Sequence, residues 1–151
     1  MGLFFSDLFS NKMFVAPLLS WLTAQLIKTI IHLCIHKKFD ITRLFGDGGM
    51  PSGHSATVMA LTTMSAILYG VSSPFFAICS ILAIIVMNDA TGVRRETGIH
   101  AERINALFET LFSKEISEED KLKVLVGHTP LQVVMGAALG ITIAHIIGLL
   151  F

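Results

Sequence analysis

The feature that most constrains this chain is a set of four long apolar stretches. The first, at residues 13–35, and the last, at residues 131–151, are each long enough to cross a bilayer about 30 Å thick at 1.5 Å per residue. The two between them, at residues 56–69 and 74–87, are shorter, and we expect each to extend into its polar flank. The sequence therefore predicts an all-α integral membrane bundle with about four transmembrane helices.

The composition also favours a membrane protein. Of the 151 residues, 53% are hydrophobic and 15% are charged, and the mean hydropathy is +0.72. A soluble domain carries about 25% charged residues and could not bury this much apolar surface. The formal net charge is zero and no basic stripe appears, so we expect the lipid bilayer as a partner and no nucleic acid. The length fits a single domain over residues 1–151.

A long polar region separates the third and fourth apolar stretches, at residues 88–129. An apolar stripe in it has the spacing of an amphipathic helix: Ile104, Leu107, Phe108 and Leu111. We expect this helix to lie at the membrane surface or over the functional site. Nine of the eleven Lys and Arg fall in this region and in residues 36–55, which four spans would place on one face. The positive-inside rule makes that face cytoplasmic, in a multi-pass protein of the plasma membrane.

The first polar group that could carry chemistry is Gly-Gly-Met-Pro-Ser-Gly-His-Ser, at residues 48–55. A Pro-Ser-Gly turn into a helix start offers backbone N–H groups and the positive end of the helix dipole, which together favour anion binding. His54 could give or take a proton on a bound phosphoester. The alternative is a glycine-rich connector in which Ser52 is only a helix N-cap.

Two further polar groups fall on the same face. Asp89 precedes Arg94 and Arg95, whose bidentate donors suit phosphoryl oxygens, and Asp89 could pair with an arginine. His128 comes just before the fourth stretch, and Gln132 follows one helical turn later. A side-chain acceptor at that position can hold the Nδ1–H of His128 and leave Nε2 as a nucleophile.

Lys28 lies well inside the first apolar stretch. A lysine there costs about 2.5–3.5 kcal/mol on insertion scales, so such residues usually face a polar cavity or an anion. The alternative is that its side chain snorkels toward the interface.

The histidines also allow a metal site. His54, His100 and His128 could converge, and His32 and His36 have an i, i+4 spacing. The histidine motifs lack nearby Asp, Glu or Cys ligands, so we predict neither a metal nor another cofactor.

In their order along the chain, the three polar groups resemble the type 2 phosphatidic acid phosphatase superfamily, which includes the vanadium haloperoxidases. The resemblance is closest to its divergent, small bacterial branch. Pro-Ser-Gly-His at residues 51–54 matches the superfamily's second motif, and residues 127–133 match the third in shape. The divergent branch carries Asp-Ala-x-Gly-Val-Arg-Arg and Gly-His-Thr-Pro, which residues 89–95 and 127–130 match.

This resemblance implies a membrane phosphatase that hydrolyses a lipid phosphomonoester or pyrophosphate through a phosphohistidine, without a metal. His128 would be the nucleophile, and His54 would protonate the leaving alkoxide and then activate water. The phosphate oxygens would be held by cationic side chains and backbone donors: Lys28, Lys38, Ser52, Gly53, Arg94 and Arg95. Arg43, Asp89 and Gln132 would support them.

The sequence departs from the superfamily pattern at several points. The first motif, a lysine followed after six residues by Arg-Pro, is missing, and Lys28, Lys38 and Arg43 are the candidates to replace it. Gln132 stands where a carboxylate is expected, and a neutral amide cannot stabilise an imidazolium by charge. The alternative function is therefore a non-catalytic protein of the same fold that binds or transports lipid phosphate.

A pair of small residues, Gly136 and Gly140, has the spacing that lets helices pack closely. The sequence leaves open whether their partner is a helix of the same chain or of a second copy in a homo-oligomer.

Overall fold

The computed structural model describes residues 2–37, 49–112, 122 and 127–150. For residues 36, 93–95 and 112 it describes the backbone and not the side chain. The described residues form helices and no strands, which confirms the predicted all-α fold. Six helices follow one another along the described chain: α1 (Gly2–Ser10), α2 (Lys12–His36), α3 (Gly53–Tyr69), α4 (Pro74–Thr91), α5 (Val93–Phe112) and α6 (Pro130–Leu150).

Three described segments are long and apolar enough to cross a membrane: Lys12–Ile35, Pro74–Leu111 and Pro130–Leu150. The second of these takes in α4 and continues into α5. Helix α3 has 17 residues and is about 25 Å long at 1.5 Å per residue, somewhat less than a bilayer core. It is the central helix, because it packs against α2, α4 and α6. The predicted bundle of about four helices thus consists of three full-length spans around a shorter core helix.

Side-chain caps set the starts of these helices. Asn11 accepts a hydrogen bond from the Met13 N–H at 2.9 Å before α2, and Ser73 accepts one from the Phe76 N–H at 3.2 Å before α4. Both bonds satisfy donors that a helix leaves unpaired in its first turn. The second and third apolar stretches extend into their polar flanks, as expected: α3 begins at Gly53 and α4 runs to Thr91. Helix α1, which is too short to span a membrane, was not predicted.

Helices α3 and α6 pack closely through the two glycines singled out in the sequence. A β-carbon on Gly136 would overlap the carbonyl oxygen of Ser52, and one on Gly140 would overlap that of Ala56. The glycines therefore serve packing within the chain, in the manner of small-residue contacts between membrane helices. Association with a second copy stays a prediction.

The Pro-Ser-Gly turn before α3 is buried, although its backbone is not helical. Pro51, Ser52 and Gly53 are all covered by the protein. Irregular backbone is tolerated at membrane depth only where protein or a polar cavity surrounds it. The first turn of α3 therefore lies inside the bundle, beside Trp21 and Lys28 of α2.

Helix α5 is the amphipathic helix predicted from the sequence. Its apolar stripe is exposed, with Ile104 at 52% and Leu111 at 67% relative accessibility. Among the described helices it packs against α4 alone. Asn105 ties it to residue 122 by two hydrogen bonds with the Leu122 backbone, each 3.0 Å long. These contacts do not support the expectation that α5 lies over the functional site. Its expected position at the membrane surface stays a prediction.

Candidate functional site

Two histidines from distant parts of the chain come together at one end of the bundle. His54 is the second residue of α3, and His128 lies two residues before α6. Their ring centroids are 6.4 Å apart, and the ring planes are inclined by 60°. His128 is buried, with 4% relative accessibility, whereas His54 is half-buried. The predicted proximity of the two rings is therefore present in the structure.

Gln132 determines which nitrogen of His128 carries the proton. Its Oε1 atom lies 3.1 Å from the backbone N of Thr129 and 3.1 Å from Nδ1 of His128. The Thr129 N–H can only donate, so the atom it meets must be the amide oxygen, which can only accept. Nδ1 of His128 is then the protonated nitrogen, and the lone pair of the neutral ring lies on Nε2. This is the arrangement expected from the one-turn spacing of the two residues.

Backbone hydrogen bonds join the three polar groups to one another. The Ser52 N–H donates to the Gln132 carbonyl oxygen at 3.0 Å, which ties the Pro-Ser-Gly turn to α6. The His128 N–H donates to the Ala90 carbonyl oxygen at 3.0 Å, which ties the loop before α6 to the end of α4. The relative positions of the groups are thus held by main-chain hydrogen bonds.

The structure changes the role expected of Ser52. Its N–H is used by Gln132, and its hydroxyl oxygen accepts from the Ser55 N–H at 3.3 Å as an N-cap. The side chain has no exposed surface. Ser52 therefore positions the turn, and its backbone does not supply the phosphate donor that we expected. In the described part of the chain, the N–H groups of Gly53 and His54 meet no acceptor, which leaves them as the donors at this helix start.

Lys28 reaches the same helix start from α2. A β-carbon on Gly53 would lie 3.7 Å from the Lys28 ammonium nitrogen. Lys28 is 8% exposed, so its ammonium is inside the bundle and does not snorkel out along the surface. Lys28, one of the three candidates for the missing first motif, therefore lies beside the Pro-Ser-Gly-His turn. Lys38 and Arg43 lie outside the described residues.

Two residues near this turn were missed by the sequence analysis. Trp21 contacts it, because a β-carbon on Gly53 would lie 3.4 Å from Cδ1 and 3.7 Å from Nε1 of the indole. Gln25 is 6% exposed, and its buried Oε1 has no hydrogen-bond donor among the described residues. Trp21, Gln25 and Lys28 follow an i, i+4, i+7 spacing, so they share one face of α2. Their helical spacing from Lys28 is the sequence pattern from which Trp21 and Gln25 could have been predicted.

The arginine group is placed only in part. Arg94 and Arg95 lie in the first turn of α5, directly after the end of α4. Their side chains are outside the described part of the structure. Asp89 is half-buried in the last turns of α4, next to Ala90, whose carbonyl oxygen binds the His128 N–H. The backbone of this group thus lies beside His128, while the expected contacts of the two guanidinium groups stay predictions.

The described side chains include no group of three or more His, Cys, Asp or Glu residues that could hold a metal ion. The alternative metal site built on His54, His100 and His128 is therefore not formed within them. The polar groups that do converge are two imidazoles, an ammonium and a helix N-terminus. This donor set suits a tetrahedral oxyanion.

The fold and the sequence together define an all-helical membrane protein in which two histidines converge at one end of the bundle. The chain belongs to the Divergent PAP2 family, a branch of the type 2 phosphatidic acid phosphatases, whose family model matches residues 9–143. It is similar to the "Uncharacterized membrane protein YuiD" of Bacillus subtilis (strain 168), with 36% identity over 156 residues that cover 96% of this chain and 99% of the relative. No solved structure matches the chain.

Proposed function

We propose that the protein is a membrane phosphatase that hydrolyses a lipid phosphomonoester or pyrophosphate through a phosphohistidine on His128. The observation that carries the proposal is the His54–His128 pair, with ring centroids 6.4 Å apart and the Nδ1–H of His128 held by Gln132. At this separation both rings can reach one phosphoryl group, which is the arrangement that the mechanism needs. Membership of the Divergent PAP2 family supports the same reaction class.

The first step is attack by Nε2 of His128 on phosphorus. A P–N bond forms, the P–O bond to the leaving group breaks, and His54 donates its proton to the departing alkoxide. The Lys28 ammonium and the helix-start N–H groups of Gly53 and His54 stabilise the charge on the non-bridging oxygens. Arg94 and Arg95 would add bidentate donors.

The second step returns the enzyme to its starting state. His54, now neutral, takes a proton from a water molecule, whose oxygen attacks the phosphorus. The P–N bond breaks, inorganic phosphate leaves, and Nε2 of His128 regains its lone pair. Catalysis on this scheme is mainly positioning and electrostatic stabilisation, as in other phosphoryl transfers.

The test uses the purified full-length protein in nanodiscs with phenyl phosphate labelled at phosphorus. His128→Asn should lose phosphate release, because the nucleophile is gone. With p-nitrophenyl phosphate labelled in the same way, His54→Asn should retain labelled phosphate on the protein, because p-nitrophenolate departs without an acid while hydrolysis of the intermediate lacks its base. His145→Asn, in the far half of α6, is the matched control. Phosphate release by His128→Asn at the wild-type rate would rule out the mechanism.

A specific observation favours a second function, the binding or transport of lipid phosphate without hydrolysis. The group that holds His128 is the neutral amide of Gln132, which orients the ring and does not offset the charge of an imidazolium. Saturable binding of a lipid phosphate or of vanadate by a protein that releases no phosphate would support this function over the phosphatase.

A further inference from the structure

A long apolar groove runs along the lipid-facing side of the bundle and ends at His54. Its volume is about 620 Å³. One wall comes from α2, the floor from α3 and the other wall from α4. The lining of the groove includes Pro17, Trp21, His54, Thr57, Leu61 and Val86.

The groove exists because two helices pack on α3 without touching each other. Both α2 and α4 contact α3, and within the described residues α2 and α4 make no contact. The gap between them leaves one strip of α3 uncovered, from His54 in its first turn to Leu61 two turns later. On α2 the lining extends from Met13 to Trp21, about 12 Å at 1.5 Å per residue.

The groove is continuous with the candidate phosphate site. His54 belongs to both, since it lines the groove and its ring lies beside that of His128. Trp21 also belongs to both, because its ring lines the groove while its indole nitrogen lies close to the first turn of α3. One end of the groove therefore carries donors for an anion, and the rest is apolar.

The chemistry of the lining points to a hydrocarbon occupant. Apart from His54, the polar side chain of the α3 floor is Thr57, and its hydroxyl already donates to the Gly53 carbonyl oxygen at 2.8 Å. A second groove, between α3, α4 and α6, has Thr63, Ser80 and His145 in its lining and neither site histidine. The two grooves thus differ in polarity, and the apolar one leads to the site.

We propose that the groove between α2 and α4 holds one hydrocarbon chain of a lipid phosphate whose head group lies between His54 and His128. The inference rests on the proposed function for the identity of the head group. The lipid enters sideways from the bilayer, because the groove is open to it along its length. An amphiphile with an anion at one end of an apolar chain matches the distribution of charge along the groove.

A binding experiment tests the groove without requiring turnover. Trp21 is the single tryptophan of the chain, so its fluorescence reports on the groove alone. The full-length protein in liposomes of unlabelled lipid is titrated with a long-chain alkyl phosphate brominated along its chain, and in parallel with the corresponding brominated alcohol. The phosphate should quench Trp21 at a concentration about tenfold or more below the alcohol, because its head group adds an anion contact. In Lys28→Met this difference should shrink.

A pair of variants on one helix tests whether chain binding governs substrate choice. Val86 lines the proposed groove, and Ile84, two residues earlier on α4, lines the other one. The measured quantity is the ratio of kcat/KM for hexadecyl phosphate to that for butyl phosphate. Val86→Phe should lower this ratio about tenfold, the effect of losing the burial of roughly two methylene groups. Ile84→Phe should leave it at the wild-type value.

The outcomes separate this inference from the proposed function. Equal quenching by the phosphate and the alcohol, or an equal fall of the ratio in both phenylalanine variants, would overturn the chain groove even if phosphate is released. Selective quenching by the phosphate with no phosphate release would support the groove and count against the phosphatase.

Discussion

At the residue scale, the defining contact is the one between His128 and Gln132. The amide oxygen accepts from the ring and from the Thr129 N–H, each at 3.1 Å, while the Gln132 carbonyl oxygen accepts from Ser52. One residue thus sets the tautomer of the proposed nucleophile and its position relative to the Pro-Ser-Gly turn. What the amide does not provide is a negative charge beside the ring.

The lack of a negative charge at residue 132 is therefore expected to limit the rate of phosphate release. Gln132→Glu keeps an acceptor of the same length for both hydrogen bonds and adds a negative charge that stabilises the imidazolium. A hydrogen bond to a charged partner is roughly 1–1.5 kcal/mol stronger than one between neutral groups, so we expect the glutamate variant to release phosphate about tenfold faster. Single-turnover release of labelled phosphate measures this.

The control at the same position is Gln132→Leu, which removes both side-chain hydrogen bonds and should be slower than the wild type. A glutamate variant no faster than the leucine variant would show that Gln132 does not act through His128.

At the scale of elements, the α3–α6 contact positions the site. The helices approach until the Gly136 and Gly140 α-carbons face the Ser52 and Ala56 carbonyl oxygens. Because both helices begin at the same end of the bundle, this contact also sets the distance between His54 and His128. Packing and site geometry therefore depend on the same pair of glycines.

Alanine at either glycine should separate the helices. A β-carbon there meets backbone, which cannot rotate away, so we expect Gly136→Ala and Gly140→Ala each to destabilise the protein by about 1–3 kcal/mol. Gly148→Ala is the control, because its β-carbon would meet only the Ile67 side chain, at 3.4 Å. Thermal unfolding in detergent measures the difference. Equal melting temperatures for all three variants would contradict the close approach of α3 and α6.

At the scale of the whole molecule, positive charge is concentrated along the chain in the two segments that lead to the end of the bundle carrying the site. Nine of the eleven Lys and Arg belong to the segments around residues 36–55 and 88–129. We propose that this end faces the cytoplasm of the cell, by the positive-inside rule.

Cysteine labelling tests this orientation. In a background with Cys34 and Cys79 replaced by alanine, Ser72→Cys places a thiol in the exposed turn between α3 and α4, and Lys37→Cys places one at the exposed end of α2. A membrane-impermeant maleimide should label the first variant in intact cells and the second only after permeabilisation. The reverse pattern would show that the site faces outward.

Much of this protein could be predicted from its sequence because the relevant signals are local. Apolar runs, of which the first and last are long enough by themselves to span a bilayer, identified α2, α3, α4 and α6, and the 3.6-residue period identified α5. Helix α1 was missed because its nine residues are too few to span a membrane and do not form a recognised motif. The roles expected of His54, His128 and Gln132 could be predicted from their residue types and their positions at helix starts.

The sequence by itself determined the helical membrane class and the residues that could bind and transfer a phosphoryl group, since both depend on residue type and short-range spacing. Only the tertiary structure decided that Lys28 lies beside the Pro-Ser-Gly-His turn, that the Ser52 N–H is used by Gln132, that the glycines pack α6 on α3, and that α2 and α4 leave a groove at His54. These facts depend on how segments far apart in the chain pack against each other, and no local spacing encodes that.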